Sequence, residues 1–352
     1  MTPTAKLTTN GTRVVPNKYP AVAPLKVEER HQHHMPFLIN DGILTNNQVP
    51  AVGFHEVVIE SPYHNQHIAT SSDIVMARDL LTAFRDRGLE HRSYGDIEHT
   101  VFFKNHGSTA GASLIHPHSQ IISTPVVPVE ADRLQSLAMK YFKTHRCSLY
   151  EQTILEELAL HESGKGLSRL VDKSENFVAL VPFASSGPYV IIILPRFHAT
   201  GTEEEGGLDS SDFTTLSNDL VEECATILRS CLYRLQVNCL EPDFNLVVQT
   251  APVPQRGFQA AFCSSAFFRW HIRITPRLGA GAMAGFEVSA CKFEYPTCMR
   301  FVPMISKSHG ALSLFGDSYI YFQLGSGFFS NSHMPEEDAE ELRAIAPLLS
   351  PV

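Results

Sequence analysis

The stretch NHGSTAGASLIHPHSQII, residues 105–122, places a run of small residues directly before two histidines and an apolar segment. Glycine, alanine and serine leave room for a ligand to approach backbone N–H groups closely, so residues 107–113 predict a phosphate-binding loop. The residues that follow, 119–128, are typical of an extended strand. The sequence therefore predicts a phosphate site where this loop meets the strand.

The two histidines and the glutamine after the loop suggest a reactive group. Along an extended chain His118 and Gln120 point to the same face. A neutral imidazole is a usable nucleophile near pH 7, and an amide can donate to an oxygen whose negative charge grows during attack. Asn105 and the Ser113 hydroxyl would complete a phosphate-facing set. The alternative is that an isolated His-Pro-His only marks a turn.

The order of predicted elements occurs twice along the chain. The first half reads as a strand (53–62), a helix (71–88), a strand (99–107), the loop and a strand (119–128). The second half reads as an apolar hairpin within 177–195, a helix over 209–235, and strands at 244–250 and 267–278. We therefore predict an α+β fold with a duplicated unit, mainly antiparallel sheets and packed helices.

The first predicted helix has clear boundaries in the sequence. Its apolar face consists of Ile74, Ala77, Leu81 and Phe84. Ser71 or Ser72 is expected to cap its start, and Gly88 is expected to end it.

Composition restricts the classes of partner. The chain has 352 residues, of which 43% are hydrophobic, enough for a sizeable core in one large domain or in two modest ones. We divide it into two halves, 1–140 with the His-Pro-His-Ser-Gln motif and 141–352. Its net charge of −9 disfavours general nucleic-acid binding. The long apolar stretch 177–195 is interrupted by Pro182, Gly187 and Pro188, which predicts two strands rather than a membrane helix.

Cysteine usage indicates the compartment. The seven cysteines form an odd, irregularly spaced set without a C-x-x-C pair. Such a set is typical of reduced thiols, so we expect a cytoplasmic protein.

Several segments together resemble the galactose-1-phosphate uridylyltransferases, the nucleotidyltransferase branch of the histidine-triad superfamily. They are NKYPAV (17–22), EVVIESPYH (56–64), VFFKNHGSTAGASLIHPHSQIISTPVVP (101–128), FVALVPFASSGPYVIIILPRFH (177–198), RWHIRITPRL (269–278) and GSGFFSNSHMPEEDAEELR (325–343). The resemblance implies a duplicated αβ fold, usually dimeric. It also implies transfer of a uridylyl group between UDP-glucose and galactose 1-phosphate in two steps.

The resemblance assigns roles to individual residues. His118 matches the nucleophile and Gln120 its phosphate-stabilising partner. Asn17 and Tyr19 match positions of the nucleotide pocket. Asn105, Gly111 and Ser113 are the remaining substrate-binding positions, at the phosphate loop. We expect UDP-glucose and a hexose 1-phosphate as partners of a homodimer, with no organic cofactor, no nucleic acid and no membrane.

The sequence departs from the family at the metal sites. Family members usually bind zinc with a C-x-x-C pair and histidines that match His64 and His116, and this chain has no such pair. Two histidines are too few for a structural zinc site, although the cluster HQHH at 31–34 could supply more ligands. A second metal site in part of the family uses a histidine where Arg273 stands here. We therefore expect neither metal.

A second departure is an insertion. Residues 288–323 separate GFE (285–287) from LGSGFF (324–329), segments that run together in the family. The insert has the boundaries of translated intron sequence, or it is a lineage-specific loop. A missing first exon would similarly give an N-terminus that looks truncated.

Three functions remain open at this stage. The first is a UDP-glucose–hexose-1-phosphate uridylyltransferase that forms a uridylyl-histidine intermediate. The second is an enzyme of the same branch that uses ADP-glucose or a dinucleoside polyphosphate, with inorganic phosphate as the acceptor. The third is an inactive, truncated isoform that at most binds nucleotide.

Overall fold

The computed structural model describes residues 11–24, 51–71, 73–95, 97–196, 209–253, 264–278 and 333–346. The strands in this part of the chain are β1 (Arg13–Pro16), β2 (Phe54–Ile59), β3 (His99–His106), β4 (His118–Thr124), β5 (Leu170–Lys173), β6 (Phe177–Leu180), β7 (Ile191–Pro195), β8 (Asp243–Gln249) and β9 (His271–Arg277). The helices are α1 (Val75–Arg92), α2 (Val129–His145), α3 (Leu149–Ser163), α4 (Asn218–Asn238) and α5 (Pro335–Ala344). Single turns of 3₁₀ helix occur at Phe213–Thr215 and Ser264–Ala266.

All nine of these strands form one antiparallel sheet with the order β1-β2-β4-β3-β8-β9-β7-β6-β5. The order β1-β2-β4-β3 is repeated in reverse as β8-β9-β7-β6, and the halves join where β3 pairs with β8. In each of these sets of four strands one helix, α1 or α4, lies between the second and third strands along the chain. The predicted duplicated α+β fold is confirmed.

The main core lies between one face of the sheet and the helices α1 and α4. The aromatic rings of Phe84, Phe102, Phe213 and Trp270 follow one another with centroid distances of 5.2, 5.6 and 5.2 Å. All four side chains are fully buried. Because alternate residues of a strand point to opposite faces, His118 and Gln120 project from the face that α1 and α4 do not cover, whereas Ile121 packs in the core.

A second apolar layer covers the other face in the second half of the chain. Ile154 and Leu158 of α3 pack against Val178 and Leu194 of the hairpin strands. The strands β6 and β7 are therefore buried on both faces, which explains the long apolar stretch in the sequence. No helix among the described residues is both long and apolar enough to cross a membrane.

Three expected helix boundaries are wrong. The first helix continues through Gly88 to Arg92, and it starts at Val75, whose N–H donates to the Asp73 carboxylate at 3.0 Å, without a serine cap. The helix expected over 209–235 starts at residue 218 instead, after the 3₁₀ turn, and Ser217 caps it. The helix does not end at Gly88; it passes close to Phe102 and Thr214 there, which leaves little room for a side chain.

We predict that Gly88→Ala destabilises the protein. An added Cβ would lie 2.7 Å from Phe102 Cζ and 2.8 Å from Thr214 Cγ2, and both side chains are buried. Overpacking of this kind costs about 1–3 kcal/mol, which exceeds the gain of about 1 kcal/mol in helix propensity. Urea denaturation measures the change. Gly187→Ala, where nothing lies within 4 Å of the new Cβ, is the control; a Gly88→Ala variant as stable as wild type would contradict the packing argument.

Candidate active site

His118 stands at the start of β4 with one ring nitrogen already engaged. Its Nδ1 is 2.8 Å from the carbonyl oxygen of His116. A carbonyl oxygen only accepts, so Nδ1 carries the proton and Nε2 keeps its lone pair. The peptide between the histidines is also held, because the Glu60 N–H donates to the Pro117 carbonyl at 3.1 Å. The half-buried imidazole thus presents Nε2 as its nucleophilic atom.

A buried ion pair lies directly behind the start of this strand. Lys104 Nζ is 2.8 and 2.9 Å from the two carboxylate oxygens of Glu60 and 3.3 Å from the His118 carbonyl oxygen. The Ser119 hydroxyl donates to the same carboxylate. Both charged side chains are at most 1% exposed, and removing either partner would leave an uncompensated buried charge. This pair therefore fixes the backbone at His118, although sequence analysis did not identify it.

Gln120 contacts a histidine that sequence analysis missed. His55 Nε2 lies 2.8 Å from Gln120 Oε1 and 3.0 Å from Asn17 Nδ2, and the Ala21 N–H donates to His55 Nδ1 at 2.9 Å. Asn17 Oδ1 in turn accepts from the Tyr19 N–H at 2.9 Å. The structure thus brings the predicted residues Asn17 and Gln120 together through His55. The Tyr19 ring is 79% exposed next to them.

The small-residue loop is held by the second half of the chain. The Asp243 carboxylate on β8 accepts from the Thr109 N–H at 2.8 Å and from its hydroxyl at 2.6 Å. A side chain at Gly107 could not fit, because an added Cβ would lie 1.7 Å from Asp243 Oδ1 and its φ is +82°. Exposed Gly111 and Ser113 follow on the same loop, where Gly111 has a φ of +85°.

Asn105 is tied to the same strand of the second half. Asn245 Nδ2 donates to Asn105 Oδ1 at 2.7 Å and to the Ala110 carbonyl at 2.9 Å. Arg277 Nε donates to Asn245 Oδ1 at 2.6 Å, so a chain of hydrogen bonds runs from β9 to the loop. Because the Asn105 oxygen is occupied, its amide nitrogen is the group that remains to face a phosphate.

His64 and His116 lie beside this site as a pair. Their Nδ1 atoms are 3.2 Å apart, and His116 Nε2 is 2.7 Å from the carbonyl oxygen of Ser61. Residues 11–24, 51–71 and the other described ranges contain no group of three or more metal-ligating side chains. Two imidazoles do not complete a tetrahedral zinc site. The HQHH cluster and the insert at 288–323 lie outside the described residues.

In the second half of the chain, His271 repeats the backbone contact of His118, but its side chain is buried. His271, the first residue of β9, has Nδ1 3.1 Å from the Arg269 carbonyl oxygen, the same contact that His118 makes. Burial lowers the pKa of His271 to about 4, and the Tyr150 ring lies 5.8 Å away. Arg273 takes the place of Gln120, donates to Ser186 Oγ at 2.7 Å, and has a pKa that burial lowers to about 10.

Comparisons with known proteins find one family match and several relatives. Residues 38–127 match a family described as the N-terminal domain of DUF4931, a domain of unknown function. An ADP-glucose phosphorylase of Arabidopsis thaliana is 28% identical over 277 residues, which cover 78% of this chain and 68% of that protein. A galactose-1-phosphate uridylyltransferase of Thermotoga maritima is 26% identical over an aligned region that covers 64% of this chain and 63% of that protein.

The fold comparison gives the same relatives. The crystal structure of an ADP-glucose phosphorylase from Arabidopsis thaliana with bound ADP-glucose superposes with a TM-score of 0.65, at 23% identity, over 95% of this chain and 82% of that one. The resemblance to the galactose-1-phosphate uridylyltransferases is confirmed in sequence and in fold. The roles of individual site residues and the division at residue 140 stay predictions.

We predict that the purified protein carries well under one zinc per chain. The described residues offer only the His64 and His116 nitrogens at this place, and half a ligand set binds zinc weakly. Elemental analysis after dialysis measures the content. A full equivalent that survives dialysis would contradict the prediction, and its loss on replacing His31, His33 and His34 would assign the missing ligands.

We predict that Asp243→Asn loosens the loop while the fold persists. The variant keeps the volume of the side chain but replaces a charged acceptor of two hydrogen bonds from Thr109 with a neutral group. A net loss of about 0.5–1.5 kcal/mol raises the population of the locally open loop roughly 2- to 13-fold. Hydrogen exchange of the segment 107–113 measures this. Glu175→Gln, an exposed change of equal charge, is the control; unchanged exchange in Asp243→Asn would contradict the assigned role.

Proposed function

We propose that this chain, a relative of the galactose-1-phosphate uridylyltransferases, transfers a nucleotidyl group from a nucleotide sugar to an acceptor phosphate through a covalent bond to Nε2 of His118. The observation that carries this proposal is the contact between His118 Nδ1 and the His116 carbonyl, which directs the reactive lone pair to Nε2. Gln120 lies two residues further along the same face of β4.

The first step is attack of His118 Nε2 on the α-phosphorus. A P–N bond forms while the bond from that phosphorus to the oxygen of the sugar phosphate breaks, and the sugar 1-phosphate leaves with the bonding electron pair. The imidazole becomes positively charged, and its Nδ1–H bond to the His116 carbonyl oxygen stabilises that charge. In the second step an oxygen of the acceptor phosphate attacks the same phosphorus, and the P–N bond breaks.

Donors around the phosphorus stabilise the charge that builds on its oxygens. The proposed donors are the Gln120 amide, the Asn105 amide and backbone N–H groups of the loop 107–113. A preorganised donor of this type is worth about 2.7–4 kcal/mol in the transition state. Small residues at 107–113 allow the phosphate to come close to the loop backbone.

For the specific reaction we propose exchange of a uridylyl group between UDP-glucose and galactose 1-phosphate, the activity named for several relatives. A second candidate is ADP-glucose phosphorolysis with inorganic phosphate as acceptor, because the similarity to the plant ADP-glucose phosphorylase covers 78% of this chain. Both reactions use the same chemistry at His118. The homodimer and the cytoplasmic location stay predictions.

We predict that the wild-type protein becomes labelled by a nucleotide sugar carrying a labelled α-phosphate, and that His118→Ala abolishes both labelling and turnover. His116→Ala is the matched control, because it removes a neighbouring imidazole but leaves the His116 carbonyl that holds Nδ1; it should lower the rate or stability and retain labelling. UDP-glucose and ADP-glucose are tested separately, each with galactose 1-phosphate and with inorganic phosphate as acceptor.

The outcomes separate the candidates. Label released by galactose 1-phosphate supports the uridylyltransferase, and label released by inorganic phosphate supports the phosphorylase. Undiminished labelling of His118→Ala would contradict the mechanism. A wild-type protein that takes no label from either donor would support the inactive isoform.

A further inference from the structure

His55 lies on β2 next to the strand that carries Gln120, and the two side chains meet at 2.8 Å. A glutamine side chain ends in one oxygen and one NH₂ group, which occupy nearly the same space. Only the NH₂ end can donate to a phosphate oxygen, so whatever fixes the end-to-end orientation of this amide also determines whether it can assist the reaction.

The tautomer of His55 is set by the backbone. The Ala21 N–H donates to His55 Nδ1 at 2.9 Å, so Nδ1 must be unprotonated. A neutral imidazole then carries its proton on Nε2, which becomes a donor. Of the two groups near Nε2, the Asn17 amide nitrogen at 3.0 Å can only donate, whereas Gln120 Oε1 at 2.8 Å accepts.

These hydrogen bonds determine the orientation of the Gln120 side-chain amide. The Nε2–H of His55 donates to the amide oxygen of Gln120 and already has the Asn17 NH₂ group 3.0 Å away, so the opposite orientation of Gln120 would replace the acceptor by a second donor. The NH₂ group is therefore turned away from His55. We propose that His55 is a positioning residue that keeps the Gln120 NH₂ group directed at the non-bridging oxygens of the transferred phosphate.

The same contacts connect Gln120 to the predicted nucleotide pocket. The Asn17 N–H donates to the His55 carbonyl oxygen at 2.9 Å, and Ala21 holds the ring, so the segment 17–21 is fastened to His55 at two points. The inference rests on the proposed function, since it assigns a role in phosphate transfer. His55 itself does not touch the reacting atoms in this account.

Kinetics of covalent labelling test the proposal with two variants. His55→Phe keeps a ring of similar size without a donor, and His55→Gln restores an N–H group near the position of Nε2 while also losing the Nδ1 acceptor. We expect His55→Phe to lower the labelling rate roughly tenfold, the effect of one net hydrogen bond, and His55→Gln to recover most of that loss. Equal losses in both variants would overturn the proposal.

A double-mutant cycle separates positioning from general damage. If His55 acts through Gln120, then His55→Phe should cause no further loss of rate in a Gln120→Ala background. The same tenfold loss in both backgrounds would show that His55 supports the structure instead. A wild-type protein that takes no label from UDP-glucose or ADP-glucose would overturn the proposed function, a result distinct from a labelled wild type with unaffected His55 variants.

The tautomer can be measured without activity and without any variant. Long-range ¹H–¹⁵N correlation spectra of the wild-type protein distinguish an imidazole with its proton on Nε2 from one with its proton on Nδ1. We expect the Nε2–H form at His55, assigned by the disappearance of its signals in His55→Gln. The Nδ1–H form would overturn the proposal even if His55→Phe failed to fold.

Discussion

The hydrogen bond between His118 Nδ1 and the carbonyl oxygen of His116 is the interaction on which the proposed chemistry depends. It leaves Nε2 as the atom that can bond to phosphorus. The bond requires a fixed backbone, and the buried pair of Lys104 and Glu60 supplies this by holding the carbonyl of His118 and the neighbouring strand. The Lys104–Glu60 ion pair behind β4 and the proposed nucleophile His118 are thus connected through the backbone of that strand.

The duplication shows why a histidine at the start of a strand is not enough. His271 repeats the Nδ1 contact of His118, but α3 and its Tyr150 cover that face of the sheet and burial favours a neutral, enclosed ring. In the second half the strand instead contributes support. Asp243 and Asn245 of β8 reach across the junction of the halves and hold the loop beside His118. One half thus carries the proposed reacting groups, and the other holds the adjacent loop.

The sequence predicted the parts of the fold that depend on local pattern. An extended apolar segment indicated the strand at His118, and a long apolar stretch interrupted by Pro and Gly indicated the hairpin; both predictions are confirmed. Gly88 was misinterpreted as a helix end, because a close approach to Phe102 and Thr214 depends on distant segments. The helices α2 and α3 were not predicted. In α2 the signal was present and was missed, because Leu134, Ala138 and Phe142 recur at helical spacing and pack against Phe267 and Phe268.

The candidate site shows the same limit. Its proposed reacting groups stand close together in the sequence as His-Pro-His-Ser-Gln, so the motif alone suggests them. His55 contacts Gln120 and Asp243 contacts Thr109, residues that lie 65 and 134 positions away in the sequence. A local sequence pattern does not indicate contacts of this kind. A charged or polar residue inside an apolar strand, such as Lys104 or Glu60, was the one available signal.

The proposed covalent bond to His118 Nε2 is tested most directly by identifying the atom that carries the nucleotidyl group. The protein is incubated with a nucleotide sugar, trapped at alkaline pH where a P–N bond is stable, and examined by ³¹P NMR and by mass spectrometry of its peptides. We expect a single phosphoramidate on Nε2 of His118. A phosphoramidate on Nδ1, or modification of another residue, would contradict it.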